Sequence, residues 1–254
     1  MNGRDAIVVK VGTGVLTRQD GTLDSASLAR LVNALADLPD QGKRVVLVSS
    51  GAVGAGISAL GLKEYPDDVS ARQAAAAVGQ TRLMHAYENL FRSFDLSVAQ
   101  LLLTAADLEN DDRRSRVSAL LGRLVDEQGI VPVINQNDSV AVEELSVGDN
   151  DMLSARVAGL VSARMLILLT TVDGLYPPDS EKIVEEVASV GEVMSYAKEE
   201  KGRFAIGGME SKLRAVKFAV EQGVETVIAN GRRPERLAQI LEGGGLGTRF
   251  PVGE

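Results

Sequence analysis

The segment VINQNDSVAVEELSVGDNDMLS carries six Asn and Asp residues, Asn135, Asn137, Asp138, Asp149, Asn150 and Asp151, in two tight clusters between apolar runs. Small carboxylates and amides are the side chains that bind an ammonium, orient a lysine or hold a Mg²⁺-phosphate. Turn formation and helix capping account for about two of the six. The excess is a functional signal.

Two lysines stand where lysines are unusual. Lys10 lies inside an apolar run just ahead of Gly12 and Gly14. A lone strand lysine snorkels from an edge, but the flanking glycines permit close backbone approach to a ligand. The better reading is an ammonium delivered to phosphate at a strand end. Lys212 follows Gly207, Gly208 and Met209 and falls in the first turn of a helix. A cation there opposes the helix dipole, so an anionic ligand explains the placement better than a solvated face. Asp151, near a helix start, serves alone as a cap; beside two lysines it is the carboxylate that holds their ammonium groups.

The run SSGAVGAG, Ser49 to Gly56, leads into a small-residue helix. Free N–H groups and the hydroxyl of Ser49 or Ser50 suit an anion, and close helix packing explains the same glycines equally well. Neither GxxxxGK[ST] nor GxGxxG is present. His85, the one histidine, reads as structural or exposed, and Asp111-Asp112 before Arg113-Arg114 reads as a solvated charge run.

Positioning these groups falls to alternating elements. Strands are expected over Ala6–Val11, Arg44–Ser49, Ser97–Leu103, Ile130–Asn135, Met165–Thr170 and Thr226–Ala229. Helices are expected over Ser25–Leu38, Ala52–Leu60, Ser70–Phe94, Ala106–Glu127, Asn150–Ser162, Met209–Gln222 and Pro234–Glu242. Ser70 is the expected cap of the long Ala-rich helix. Nearly continuous apolar strands between amphipathic helices predict a three-layer α/β/α sandwich with a mainly parallel central sheet. Pro177, Pro178 and Gly202 interrupt the pattern between Leu175 and Gly207, where a hairpin or mobile segment is expected. Ligands of open α/β sheets gather outside the carboxyl ends of the strands. That rule unites Lys10–Gly14, Ser49–Gly56, Asn135–Asp138, Thr170–Tyr176 and the turn before Lys212 into one rim site.

Composition narrows the partners. The chain has 254 residues, 45% hydrophobic and 24% charged, enough for a substantial core in a single two-lobed domain. A net charge of −8 and 4% aromatics speak against nucleic-acid binding, which favours basic faces and stacking platforms. Absent cysteine fits a reducing compartment. The start MNGRDAIVVKVG reads as no signal peptide, and no apolar run approaches the ~20 residues of a membrane span. A cytoplasmic protein without membrane contact is expected.

Taken together, VVKVGTGVLT, VVLVSSGAVGAG, ARQAAAAVGQ, QLLLTAADL, VPVINQNDSVA, VGDNDMLSA, DGLYP and GGMESK resemble the glutamate 5-kinase branch of the amino acid kinase family across nearly the whole chain. The resemblance implies the amino acid kinase fold and ATP-dependent phosphorylation of the glutamate side-chain carboxylate. Its nearest rivals are acetylglutamate or uridylate kinases of the same family, or a non-catalytic glutamate or proline sensor. It implies a glutamate-binding lobe over 1–163 and a nucleotide-binding lobe over 164–254. By carry-over, Lys10 and Lys212 neutralise the phosphoryl group and Asp151 organises them. Ser50, Asp138 and Asn150 match glutamate contacts, supported by Gly51, Asn135 and Asp149. Gly12, Thr170, Thr171, Gly207, Gly208 and Met209, with both lysines, match nucleotide segments. Mg²⁺ is expected to arrive with ATP rather than on a protein metal site. Proline feedback and a homo-oligomer, dimer or tetramer, are family expectations. Two departures stand out. Thr170-Thr171 replaces a usual Thr-Asp, leaving Asp173 as the nearby carboxylate, and the chain ends near Gly247–Glu254, where many bacterial members continue into a PUA domain. The Leu175–Gly207 segment is expected to be compact, which would alter the nucleotide lid.

Overall fold

β1 (Ala6–Val11) is buried along its full length, as befits a strand with neighbours on both edges and helices on both faces. It pairs in parallel with β2 (Arg44–Val48) and with β5 (Met165–Thr170). β4 (Ile130–Gln136) and β3 (Ser97–Leu103) extend the sheet beyond β2; β6 (Glu225–Asn230) and β7 (Thr248–Phe250) extend it beyond β5. The computed structural model describes residues 5–62, 64–140, 149–196 and 208–253. Among these, seven strands form one sheet in the order β3-β4-β2-β1-β5-β6-β7, parallel except for β7. The chain fills one side of β1 and then returns to fill the other, so the β1/β5 junction is a topological switch point. Lys10 lies on β1 at that junction, in register with Val48 and Leu168.

Strand alternation divides the core into two layers. On one face Ala6, Val8, Val46, Val48 and Ile134 pack with Leu153 of α7 (Asp149–Leu160) and with Leu213 and Val216 of α9 (Met209–Glu221). On the other, Ile7, Val9, Leu47 and Val133 pack with Leu31 and Leu35 of α2 (Ser25–Asp40) and with Leu83, Tyr87 and Phe91 of α4 (Val69–Arg92). Parity then dictates the site. Lys10 follows Ala6 and Val8 towards α7 and α9. Ser49 and Asn135 follow Leu47 and Val133 towards α4.

α3 (Ala52–Ile57) crosses α4 through main chain. A Cβ at Gly56 would stand well under 3.0 Å from the Ala75 carbonyl, and one at Gly79 equally close to that of Ala52. The glycines of SSGAVGAG beyond Gly51 therefore serve packing. Gly51 adopts φ +96°, a left-handed turn that an L side chain resists, and swings the chain from β2 into α3.

Several elements differ from their expected form. Asp68, not Ser70, caps α4: it accepts from Ala71 N at 2.8 Å, and the Ser70 hydroxyl donates to it at 2.6 Å. The expected helix over Ala106–Glu127 is two, α5 (Ala105–Glu109) and α6 (Asp111–Asp126). Asn110 is extended between them and its side chain accepts from Arg113 N, a local bond that outcompetes helix continuation. A short helix, α1 (Thr13–Leu16), and strand β7 were not anticipated. No hairpin is present among the described residues of 175–196. That stretch contains the single turn α8 (Val190–Val193) and is tied to β7 by Thr248, whose hydroxyl accepts from Leu175 N and donates to Val184 O. Residues 197–207 lie outside the described residues. The C-terminal helix is a 3-10 turn, Pro234–Arg236, leading into α10 (Leu237–Leu241). Among the described residues no helix is long and apolar enough to cross a membrane.

Candidate active site

Asp151, in the first turn of α7, faces both lysines. One carboxylate oxygen lies 2.6 Å from Lys10 Nζ and the other 3.3 Å from Lys212 Nζ. Lys10, Asp151 and Lys212 are 6%, 2% and 9% exposed, so this is no surface ion pair. The two ammonium groups thus share the two oxygens of one buried carboxylate at the head of the sheet. Burial is the largest influence on Lys10 and pushes its ammonium below the usual lysine range; Lys212 adds to that, and Asp151 opposes it. Burial alone would raise the Asp151 carboxyl, but the two lysines together hold it below its ordinary value. A Cβ at Gly12 would stand 3.6 Å from Lys10 Nζ, so glycine keeps the approach to that ammonium narrow but open.

Asn150, one residue earlier, faces a neutral network. Its Nδ2 donates to Ser50 Oγ at 2.9 Å, Asn135 Oδ1 at 3.1 Å and Ser49 O at 3.2 Å. Asn135 Oδ1 also accepts from Gln136 N at 2.9 Å, while its Nδ2 donates to Gln80 Oε1 of α4 at 2.9 Å. The Ser49 hydroxyl shares a 2.8 Å bond with the phenol of Tyr87, which burial pushes above its usual range. Gln80 and Tyr87 were missed by sequence reasoning. Both repeat at core spacing on α4, and a glutamine among Ala76, Gly79 and Leu83 was the available signal.

The remaining anticipated residues divide. Asp138 is half-buried at the rim and close enough to Tyr65 for its charge to raise that phenol, after the larger effect of burial. Asn137 is a turn former: its N–H reaches Leu103 O and its side chain accepts from Ser139. Asp149 opens α7, and its side chain lies outside the described set, as does Gly207. Gly208 is exposed before α9, whereas the Met209 side chain is buried in the core face beneath it. Thr170 ends β5 and Thr171 follows it, and a Cβ on Gly14 would sit 3.1 Å from Thr171 Cγ2. Asp173 accepts from Asn230 at 3.0 Å, which puts a carboxylate at the β5–β6 end of the rim. His85 is exposed and bonds Asn89, and Asp111-Asp112 form the exposed first turn of α6; both are the ordinary roles expected.

Lys10, Asp151 and Lys212 thus stand buried together at the switch point of a parallel sheet, where α/β/α proteins gather their ligands. The sequence model of the amino acid kinase family matches residues 5–230, and the chain belongs to that family. It is 45% identical to the glutamate 5-kinase of Symbiobacterium thermophilum, over 96% of this chain and 95% of that one. It is 44% identical to the glutamate 5-kinase of Clostridium acetobutylicum, over 96% of this chain and 93% of that one. The fold is similar to carbamate kinase from Giardia lamblia bound to AMP-PNP, with a TM-score of 0.66, 99% of each chain covered and 17% identity. At that identity the likeness is one of fold.

Proposed function

We propose that the chain transfers the γ-phosphoryl group of ATP to the side-chain carboxylate of L-glutamate, giving L-glutamyl 5-phosphate, the first step of proline biosynthesis. The observation that carries this reading is the buried Lys10–Asp151–Lys212 cluster adjoining a neutral amide network. The glutamate 5-kinases it resembles over nearly full length support it and disfavour acetylglutamate or uridylate phosphorylation and a sensor role.

A glutamate carboxylate with pKa near ~4.3 is already ionised at neutral pH, so the reaction needs no general base. Its oxygen attacks the γ-phosphorus, the bond to the β,γ-bridging oxygen breaks, and ADP leaves with that electron pair. The barrier lies in bringing two anions into line. Lys10 and Lys212 offset that repulsion, and Asp151 keeps both ammonium groups on one axis. Ser50, Gly51, Asn135, Asp138, Asp149 and Asn150 form the glutamate side. Gly12, Thr170, Thr171 and the turn of Gly207, Gly208 and Met209 form the nucleotide side, with Asp173 as the carboxylate nearest Thr171. This divides the domain into a glutamate lobe, 1–163, and a nucleotide lobe, 164–254. Both Asp151 oxygens face ammonium groups. Mg²⁺ would arrive on the ATP phosphates, where it would supply further charge neutralisation. Proline feedback, a homo-oligomer and a cytoplasmic location rest on the family resemblance.

The test is a hydroxamate assay with ATP, Mg²⁺ and hydroxylamine, run in parallel with L-glutamate and N-acetyl-L-glutamate as acceptors, with UMP tested separately by ADP release. The expected product is γ-glutamyl hydroxamate with glutamate alone. Absence of any acyl phosphate at saturating substrates overturns the reading.

A further inference from the structure

The three amides at the rim can be oriented without assumption, because one partner is a backbone N–H that can only donate. Gln136 N–H points at Asn135, so the atom it meets is Asn135 Oδ1. Asn135 Nδ2 must then donate, and Gln80 must offer its Oε1. Asn150 meets Ser49 O and Asn135 Oδ1, both pure acceptors, so its NH₂ faces them. Two atoms are left over. Asn150 Oδ1 and Gln80 Nε2 are both buried, and among the described residues neither has a hydrogen-bond partner.

An orphaned buried polar atom costs free energy, and a native structure carries one for a reason. Asn150 Oδ1 can only accept, so the substrate group that completes it must be a donor. Glutamate has one such charged group, its α-ammonium. Gln80 is 8% exposed and Asn135 1% exposed, so Asn135 is braced from within the protein rather than by solvent. Remove the Gln80 acceptor and Asn135 Nδ2 becomes a buried donor with nothing to bond, which favours its moving off Asn150.

We propose that Gln80 is a positioning residue for substrate recognition: by bracing Asn135 it holds the Asn150 NH₂ on Asn135 Oδ1 and leaves the Asn150 carbonyl oxygen as the unpaired acceptor, so that the site demands a free α-ammonium. This rests on the glutamate kinase reading. The spare Nε2 makes no bond, so Gln80→Glu, neutral when protonated in that buried position, keeps the acceptor that matters. Gln80→Met keeps the volume and loses it.

The experiment measures steady-state kinetics of the full chain with L-glutamate and with glutarate, the same diacid without its amino group. Wild type should prefer glutamate by roughly 10-fold or more in kcat/KM. Q80M should raise the glutamate KM by roughly 10-fold, leave the ATP KM within about twofold and narrow the preference over glutarate. Q80E should stay close to wild type in both. Glutarate serving wild type as well as glutamate overturns the inference, as does a folded Q80M with unchanged KM or a Q80E as impaired as Q80M. If Q80M fails to fold, the wild-type preference and Q80E still decide. Wild type inactive on every acceptor instead sinks the kinase reading, and this inference with it; active wild type with an unmoved Q80M sinks this inference alone.

Discussion

Asn150 and Asp151 are consecutive, yet they serve opposite faces of the sheet. A helical step turns the side chain by about 100°, so Asp151 looks towards Lys10 and Lys212 while Asn150 reaches over the rim to Ser50 and Asn135. The α7–α9 face ends in charge and the α4 face ends in neutral amides. Charge that neutralises a transferring phosphoryl group acts on the transition state, whereas amides that complete a bound amino acid act on ground state and transition state alike. Damage on the charged face should therefore appear in kcat, and damage on the neutral face in KM.

The largest effect expected follows from breaking the charged face. Lys10→Ala and Lys212→Ala should each lower kcat by about 10²- to 10³-fold, with glutamate KM moving only a few-fold and circular dichroism unchanged. Near-normal turnover in either folded variant would remove the charged half from the chemistry.

A smaller effect separates the faces by pH. Burial, with help from Lys212, places the Lys10 pKa below 10.5. Rising pH therefore removes the Lys10 proton of the free protein earlier than from an ordinary lysine, and kcat/KM should fall on the alkaline side before pH 10.5 is reached. A kcat/KM that stays level through that value would show that Lys10 does not act as an ammonium. The acid side gives no matching loss from Asp151, whose carboxyl is held below its ordinary value and stays ionised well into acid.

The smallest effect sharpens the neutral face. Tyr87→Phe removes the phenol bonded to Ser49 Oγ, but Ser49 keeps its 3.1 Å bond to Ser50 O. A stability loss of about 1 kcal/mol in urea denaturation is expected, with glutamate KM rising about twofold and kcat unchanged. A large fall in kcat would mean that the two faces are not separable.

Much of this was legible from residue types. β1 and β5 have the bounds expected, because strands covered on both faces are apolar runs with abrupt polar ends, and so does the more exposed edge strand β3. Lys10, Asp151 and Lys212 declared themselves by being charged where their surroundings are apolar or their dipole unfavourable. Within the Asx-rich segment the ordinary reading held for Asn137, while Asn135, Asn150 and Asp151 joined the two polar networks. Other features carried no pattern. β7 is three residues long and antiparallel, too short for periodicity. The break at Asn110 rests on one side-chain bond within an exposed polar stretch. Gln80 and Tyr87 share a stripe with Leu83 and Phe91, and strand parity, visible only in the folded sheet, turns Asn135 and Ser49 towards them.

The crossing of α3 and α4 has a consequence for altering what this protein accepts. At Gly56 and Gly79 the helices meet main chain to main chain, and this contact lies between Ser50, just before α3, and Gln80, directly after Gly79. Any side chain added at either glycine would collide with a backbone carbonyl, so the separation of these two elements is set by main chain and not by a side chain that substitution can trim. A laboratory search for new acceptors is therefore expected to succeed by changing the chemistry of the groups near Ser50 and Gln80 rather than the distance between the helices that carry them.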